Sequence, residues 1–414
     1  MRERTFQHTL YACYMGSVTL AVVANLAPLL FVVFQKQYAI SFTQVGSLVL
    51  VNFLTQLIVD GLSIRSIDRI GPRRAILLAH LLVAVGLVAL GVLPFWMPPY
   101  AGILLATVIF ASGGGLLEVL VSMVVDSIPS EAKASAMSLS HSFSSWGQVG
   151  VVLLSTLLLS AVGDARWPLL PVLWAVLPIV NFFNFRRVPM AAPVEAERRT
   201  PMRQMLTSRL FVLAMLLMLC SGAAEQSMGQ WASLFAEKGL GISKMWGDLT
   251  GPCMFAAMMG IGRTVYGLYG QKINLQRALL ASAGLCVISY AMAALIPNPG
   301  FSLVGCALCG LSVSLMWPGM ISLSAQGHAG GGAALFAILA LCGDMGCSFG
   351  PWLTGIVADA AQSAPSVLEW GGRFGMDAEQ TALRSGLLTA IIFPLLMILG
   401  IALYKRWLAK RELM

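Results

Sequence analysis

Seven long stretches of this chain carry no Asp, Glu, Lys or Arg: residues 5–35, 37–59, 75–117, 134–163, 167–185, 278–343 and 385–404. A bilayer core is crossed by about 20 consecutive apolar residues, so the longest stretches must hold more than one crossing. Turn signals divide them: Pro94, Pro98 and Pro99 in one, Pro297-Asn298-Pro299-Gly300 and the Gly330–Gly332 run in another. The predicted spans are 9–34, 43–66, 75–93, 100–127, 135–160, 168–185, 210–236, 248–269, 278–296, 301–325, 332–358 and 384–404, twelve in all. Composition agrees. Only 11% of the 414 residues are charged and 58% are apolar, whereas soluble domains carry about 25% charged residues. Too few charges remain to cover a water-facing surface, which excludes a soluble enzyme, a nucleic-acid-binding domain and a disordered chain. The fold class expected is an all-α integral membrane protein.

The loops give an independent check, because basic residues concentrate on the cytoplasmic side. With the N-terminus inside, that side collects 20 of the 26 Lys and Arg, including the cluster Arg65, Arg69, Arg73 and Arg74, six arginines between 186 and 209, and the C-terminal Lys405, Arg406, Lys410 and Arg411. The other side holds Lys36, Arg166, Lys238, Lys244, Arg373 and Arg384. Both termini are therefore expected in the cytoplasm, and the protein in the cell (inner) membrane. The net charge of +8 reads as topology and attraction to anionic lipid headgroups, with no nucleic-acid partner.

The first apolar stretch is too long for a signal-peptide core and lacks a small-residue cleavage site, so it is expected to remain as the first span. The eight cysteines lie within spans, and Cys306-x-x-Cys309 reads as packing. His8, His80, His141 and His328 show no ligand-like clustering. No disulfide, metal or cofactor is expected. The Pro-, Arg- and Glu-rich segment 186–209 reads as a cytoplasmic linker between two six-helix halves, 1–185 and 210–414. The halves look related: Asp68-Arg69-Ile70-Gly71-Pro72-Arg73-Arg74-Ala75 after the second span matches Gln271-Lys272-Ile273-Asn274-Leu275-Gln276-Arg277-Ala278 after the eighth, at an offset of 203. Repeated bundles of this kind build many secondary transporters.

The Asp68–Arg74 loop resembles the signature of the major facilitator superfamily. Gly113-Gly114-Gly115-Leu116-Leu117-Glu118 and Ser138-Leu139-Ser140-His141-Ser142-Phe143 are similar to the fourth and fifth spans of its fucose/sugar:proton symporter branch. Ala224-Glu225-Gln226-Ser227-Met228-Gly229-Gln230-Trp231 resembles that branch's seventh span. The resemblance implies twelve helices in two pseudo-symmetric halves and alternating access. In that branch a first-span aspartate and a fourth-span glutamate handle proton and sugar. Glu118 matches the glutamate, and the first span here has no acid.

An ionisable side chain inside a span is costly, so each is a functional candidate by default. Asp60, Glu118, Asp126, Glu225 and Asp344 lie within spans or at their ends. Proton coupling is assigned to Glu118, to His141 beside it on a polar stripe of span five, and to Asp344, which aligns with Gln148 in the repeat. That stripe (Ser138, His141, Ser145 and Gln148) recurs at helical spacing and must line a cavity or a helix contact. Substrate contact is assigned to Ser145, Gln148, Glu225, Gln226, Gln230, Trp231 and Trp317: carboxylate, amides and aromatic faces suit a polyhydroxylated ligand. His80 reads as a hydrogen-bonded core residue, and Trp96, Trp167, Trp246, Trp370 and Trp407 as interfacial anchors. Gating is assigned to Asp68, Arg69, Arg73 and Arg74 at the cytoplasmic surface, and to Asp60 and Arg263, symmetry mates of opposite charge expected to latch the halves.

The function expected is a secondary active transporter for a small polar, sugar-like solute, coupled to protons, working as a monomer surrounded by membrane lipids. A drug or metabolite:proton antiporter is the alternative within the class. A membrane-embedded enzyme would show catalytic residues clustered at a bilayer face, and a transporter-like sensor would carry a soluble output domain; the sequence has neither.

Overall fold

The computed structural model describes residues 5–128, 133–190, 206–269, 274–327 and 332–412. These are helical, with no strand among the described residues. Twelve passes follow in order: α1 (Phe6–Tyr38), α2 (Phe42–Ile70), α3 (Pro72–Val92), α4 (Pro99–Ser127), α5 (Lys133–Val162), α6 (Leu169–Arg187), α7 (Arg209–Leu234), α8 (Met254–Tyr269), α9 (Leu275–Leu295), α10 (Pro299–Ser324), α11 (Gly332–Gln362) and α12 (Ala378–Trp407). Ten of them are long and apolar enough to cross a bilayer by length and composition alone. The other two are α8, whose approach is broken into the short helix Lys244–Asp248 and a π turn Leu249–Cys253 containing Pro252, and α11, which carries Pro351 and Asp344. Most of the expected linker, residues 191–205, lies outside the described residues.

Local chemistry sets the helix ends. Gly71 has φ +84°, a backbone state that L side chains rarely adopt, and it lets the chain turn from α2 into Pro72 at the first position of α3. Asn298 caps α10, its Oδ1 accepting from Gly300 N at 2.9 Å and Phe301 N at 3.3 Å. Asp377 and Gln380 form a reciprocal capping box at the start of α12.

The chain divides into two compact units, residues 1–41 with 51–195, and residues 42–50 with 196–414. The same helix pairs touch inside each unit. In the first, α1 packs on α5, α3 on α4 and α3 on α6; in the second, α7 packs on α11, α9 on α10 and α9 on α12. Helices in lipid gain little by hiding apolar surface from one another, so association depends on close backbone approach. Small residues provide it. Gly113 of α4 faces Ala79 and Val83 of α3, Gly350 of α11 faces Ala223 and Ser227 of α7, and Gly310 of α10 faces Phe255 of α8.

The division departs from the sequence boundary in one place, since the first nine residues of α2 belong to the second unit. There Phe42 meets Trp231 edge to face at 6.1 Å, Gly46 lies against the backbone of Trp352, and Thr43 N donates to Asp359 Oδ2 at 2.7 Å. That last contact lets the carboxylate at the end of α11 satisfy a free amide in the first turn of α2.

Candidate functional site

In the first unit the polar centre is the face between α2 and α4. Asn52, Gln56 and Asp60 recur every fourth residue of α2, and each is at least nine-tenths buried. They face the glycine run of α4. A Cβ on Gly115 would sit 2.8 Å from Asp60 Oδ1 and 2.9 Å from the Gln56 carbonyl oxygen, and one on Gly114 would sit 3.5 Å from the Gln56 carboxamide carbon. The glycines therefore let α4 approach α2 closely enough to bring Glu118, one turn on, into electrostatic interaction with Asp60. Glu118 is half-buried and makes no hydrogen bond or ion pair among the described residues.

The sequence pairs Asp60 with Arg263 as a latch; the structure instead gives Asp60 a carboxyl neighbour in its own unit. The sequence likewise places Glu118 beside His141, yet its electrostatic partner is Asp60. His141 is an exposed residue of α5, while Ser145 and Gln148 on the same helix are buried. The α1–α5 seam near the stripe is held by Ser17 and Ser140, whose hydroxyl oxygens lie 2.9 Å apart, and by Tyr14 stacked on Phe143.

In the second unit the counterpart is an ion pair between spans. Arg263 Nη2 of α8 lies 3.1 and 3.2 Å from the two carboxylate oxygens of Glu225 on α7. Arg263 thus has a partner in its own unit, which the expected latch with Asp60 did not foresee. Gln226 is the half-buried member of an otherwise buried run on α7, and its Oε1 accepts from Gln230 Nε2 at 2.9 Å. Trp231 corrects the sequence reading. It is fully buried, and its indole N–H donates to the Pro351 carbonyl of α11 at 3.0 Å, so its ring fills the core and offers no face to a ligand. Trp317 is half-buried with its ring against Gly343 of α11, next to the buried Asp344.

The gating residues separate. Arg73 Nη1 donates to Phe185 O at 2.7 Å and Arg186 O at 3.1 Å, and its Nη2 to Val188 O at 2.8 Å. It caps the C-terminus of α6 inside its own unit, where helix carbonyls lack partners. Arg74 is exposed. The side chains of Asp68, Arg69, Asp126 and Ser138 lie outside the described residues.

Two other expectations meet the structure. His80 Nδ1 lies 2.7 Å from Ile76 O and its Nε2 2.9 Å from Asn181 Nδ2, which also donates to Ala12 O. A neutral ring donating from Nδ1 and accepting at Nε2 satisfies both contacts and ties α1, α3 and α6 together. Trp167, expected at the interface, is fully buried with its N–H on Gln37 Oε1 at 2.9 Å, whereas Trp96 and Trp246 are exposed.

Sequence reasoning missed Asn52 and Gln56, although their spacing on α2 is the signal that flagged span five. It also missed Arg384, which the sequence alone places among the loop charges. This arginine is buried, with Nη1 donating to Ala293 O, Ala294 O and Ile296 O at 3.1, 3.3 and 2.8 Å, so it caps α9.

Two six-helix units with matching helix pairs and acids inside the spans define a polytopic transporter, not an enzyme. Residues 11–351 match the family model of the Major Facilitator Superfamily. The chain belongs to that superfamily. Among solved structures, a bacterial homologue of the human lysosomal transporter Spinster shares 14% identity and a TM-score of 0.74, with 98% of this chain and 97% of that one covered. A D-xylose–proton symporter shares 14% identity and a TM-score of 0.72, covering 94% and 97%. The Escherichia coli fucose:proton symporter shares 15% identity and a TM-score of 0.63, covering 97% and 99%. At these identities the likeness is one of fold. No curated protein matches the sequence. The chain is a multi-pass membrane protein that transports small molecules.

Proposed function

We propose that this transporter moves a small, polar, sugar-like solute by alternating access of two six-helix halves joined by the segment 186–209, and that uptake is driven by protons. The observation that carries the reading is Glu118: a half-buried carboxyl in α4, beside glycines, with no hydrogen bond or ion pair among the described residues. A carboxyl in that setting can bind and release a proton as its surroundings gain and lose water. For the solute, the half-buried Gln226, its partner Gln230, and Trp317 beside Asp344 offer amide donors and acceptors with an aromatic face. Buried Ser145 and Gln148 are the corresponding groups of the first unit. Two of the fold relatives are sugar:proton symporters by name, which is compatible with this reading. Asp68 and its neighbouring arginines are assigned to the conformational cycle, and both termini to the cytoplasmic face of the inner membrane.

Glu118→Gln tests the coupling. The amide stands for a permanently protonated side chain, so solute binding and energy-independent exchange should survive while accumulation driven by a proton gradient is lost. Accumulation at the wild-type level would overturn the assignment and move the proton to another acid, with Asp344 first. The topology is tested by single cysteines: one at Ala196 should be labelled only in opened cells, and one at Ser363 from outside intact cells.

A further inference from the structure

Two acids brought together across α2 and α4 raise a question that proton coupling alone does not answer. Asp60 and Glu118 interact electrostatically, and two neighbouring carboxylates in a weakly polar interior repel strongly unless positive charge joins them. The helices packed on this face of α4 present Val23 of α1 at Gly114 and Val83 of α3 at Gly113, neither of which brings charge. A proton would neutralise one carboxyl, but it would leave the amides of α2 as they are. Asn52 Oδ1 and Gln56 Nε2 are buried atoms with no hydrogen-bond partner among the described residues. Such atoms are uncommon in folded proteins and point to a bound water or ion. The Gln56 carboxamide lies over Gly114, on the α4 face that carries Glu118 one turn later, and a half-turn of its amide would present oxygen in place of nitrogen.

We propose that Asn52, Gln56, Asp60 and Glu118 form a binding site for a small monovalent metal cation, of the size and hardness of sodium. Hard cations take oxygen ligands, and carboxylate and carboxamide oxygens are of that kind. The site meets the needs of the orphaned amides and the paired acids together. A tight divalent site gathers more anionic ligands; no group of three or more His, Cys, Asp or Glu able to hold a metal occurs among the described residues. With one carboxyl protonated and the other on the cation, the site is neutral, as the interior of a membrane protein requires. The proposal rests on the reading of Glu118 as a coupling residue and adds a second ion to it.

The test uses the purified full-length protein in detergent, in choline chloride replaced stepwise by sodium chloride at constant ionic strength and near-neutral pH, with the thermal unfolding midpoint as readout. A cation that binds the folded state raises that midpoint saturably. Sodium should do so while potassium does not, and Asp60→Asn or Asn52→Ala should weaken the apparent sodium affinity by roughly tenfold or more. No sodium-dependent rise in the wild type, an equal rise with potassium, or a rise with calcium alone would overturn the proposal even if a variant failed to fold. Loss of proton-driven accumulation in Glu118→Gln without any sodium effect would sink this site and leave the proposed function standing. A specific sodium effect with normal accumulation in Glu118→Gln would do the reverse.

Discussion

The Glu225–Arg263 pair can be tested as a unit, because each partner is inside a span and each depends on the other. The side chains are 10% and 19% exposed. One guanidinium nitrogen serves both carboxylate oxygens, at 3.1 and 3.2 Å. At an effective dielectric constant of about 20 the Coulomb attraction at that distance is about 5 kcal/mol, most of it offset by the desolvation of both charges. Removing one partner leaves the other charge stranded, which costs about 3–5 kcal/mol when burial is complete. The residual exposure of Arg263 places the expected loss for Arg263→Met or Glu225→Gln at about 2–4 kcal/mol. In units of this size that is a fall of about 4–16 °C in unfolding midpoint, at roughly 2–4 °C per kcal/mol for domains of 150–250 residues. The double variant strands no charge, so it should melt above at least one single variant, with a coupling of about 1–3 kcal/mol. The assay is thermal unfolding of the four proteins in one detergent. Effects that add to within about 0.5 kcal/mol would show that the two side chains do not act as a pair, and the ion pair would then not be what ties α8 to α7.

Three further outcomes follow from single contacts. Arg384→Met should lower the unfolding midpoint more than Arg373→Met, because Arg384 is buried on the end of α9 whereas Arg373 pairs with Glu369 in the open; equal shifts in a melting curve would refute the cap. Trp231→Phe removes the N–H bond to Pro351 and should cost about 1 kcal/mol in stability while leaving solute KM within about twofold, since the ring is fully buried. A KM rise of an order of magnitude in a transport assay would restore Trp231 as a ligand contact. Gly115→Val should abolish stable folding or transport, because even a Cβ there approaches Asp60 and the Gln56 backbone to below 3 Å; wild-type transport and melting would mean that α4 does not need that approach.

The sequence by itself determined the solvent and the scale of the structure. Charge-free runs such as 75–117 and 278–343 can be stable only in lipid, and the turn residues within them fix where each helix stops, because backbone groups in a bilayer must be satisfied locally. Gly71 before Pro72 was legible for the same reason: its positive φ is a local property of the chain. What each polar side chain meets was not legible. Asp60 and Arg263 share an offset of 203 and carry opposite charges, yet one faces Glu118 across a glycine notch and the other pairs with Glu225. Trp231 and Gln230 are adjacent in a segment read as ligand-binding, yet the tryptophan is locked onto Pro351 of a helix more than a hundred residues away. Arg73 and Arg384 both read as surface charge, and both cap the ends of helices far along the chain. Helix rotation decides these outcomes. A rotation of a few tens of degrees moves a side chain from a cavity to a neighbouring helix without changing the apolar pattern, and only the packing of glycines against specific backbones sets that angle.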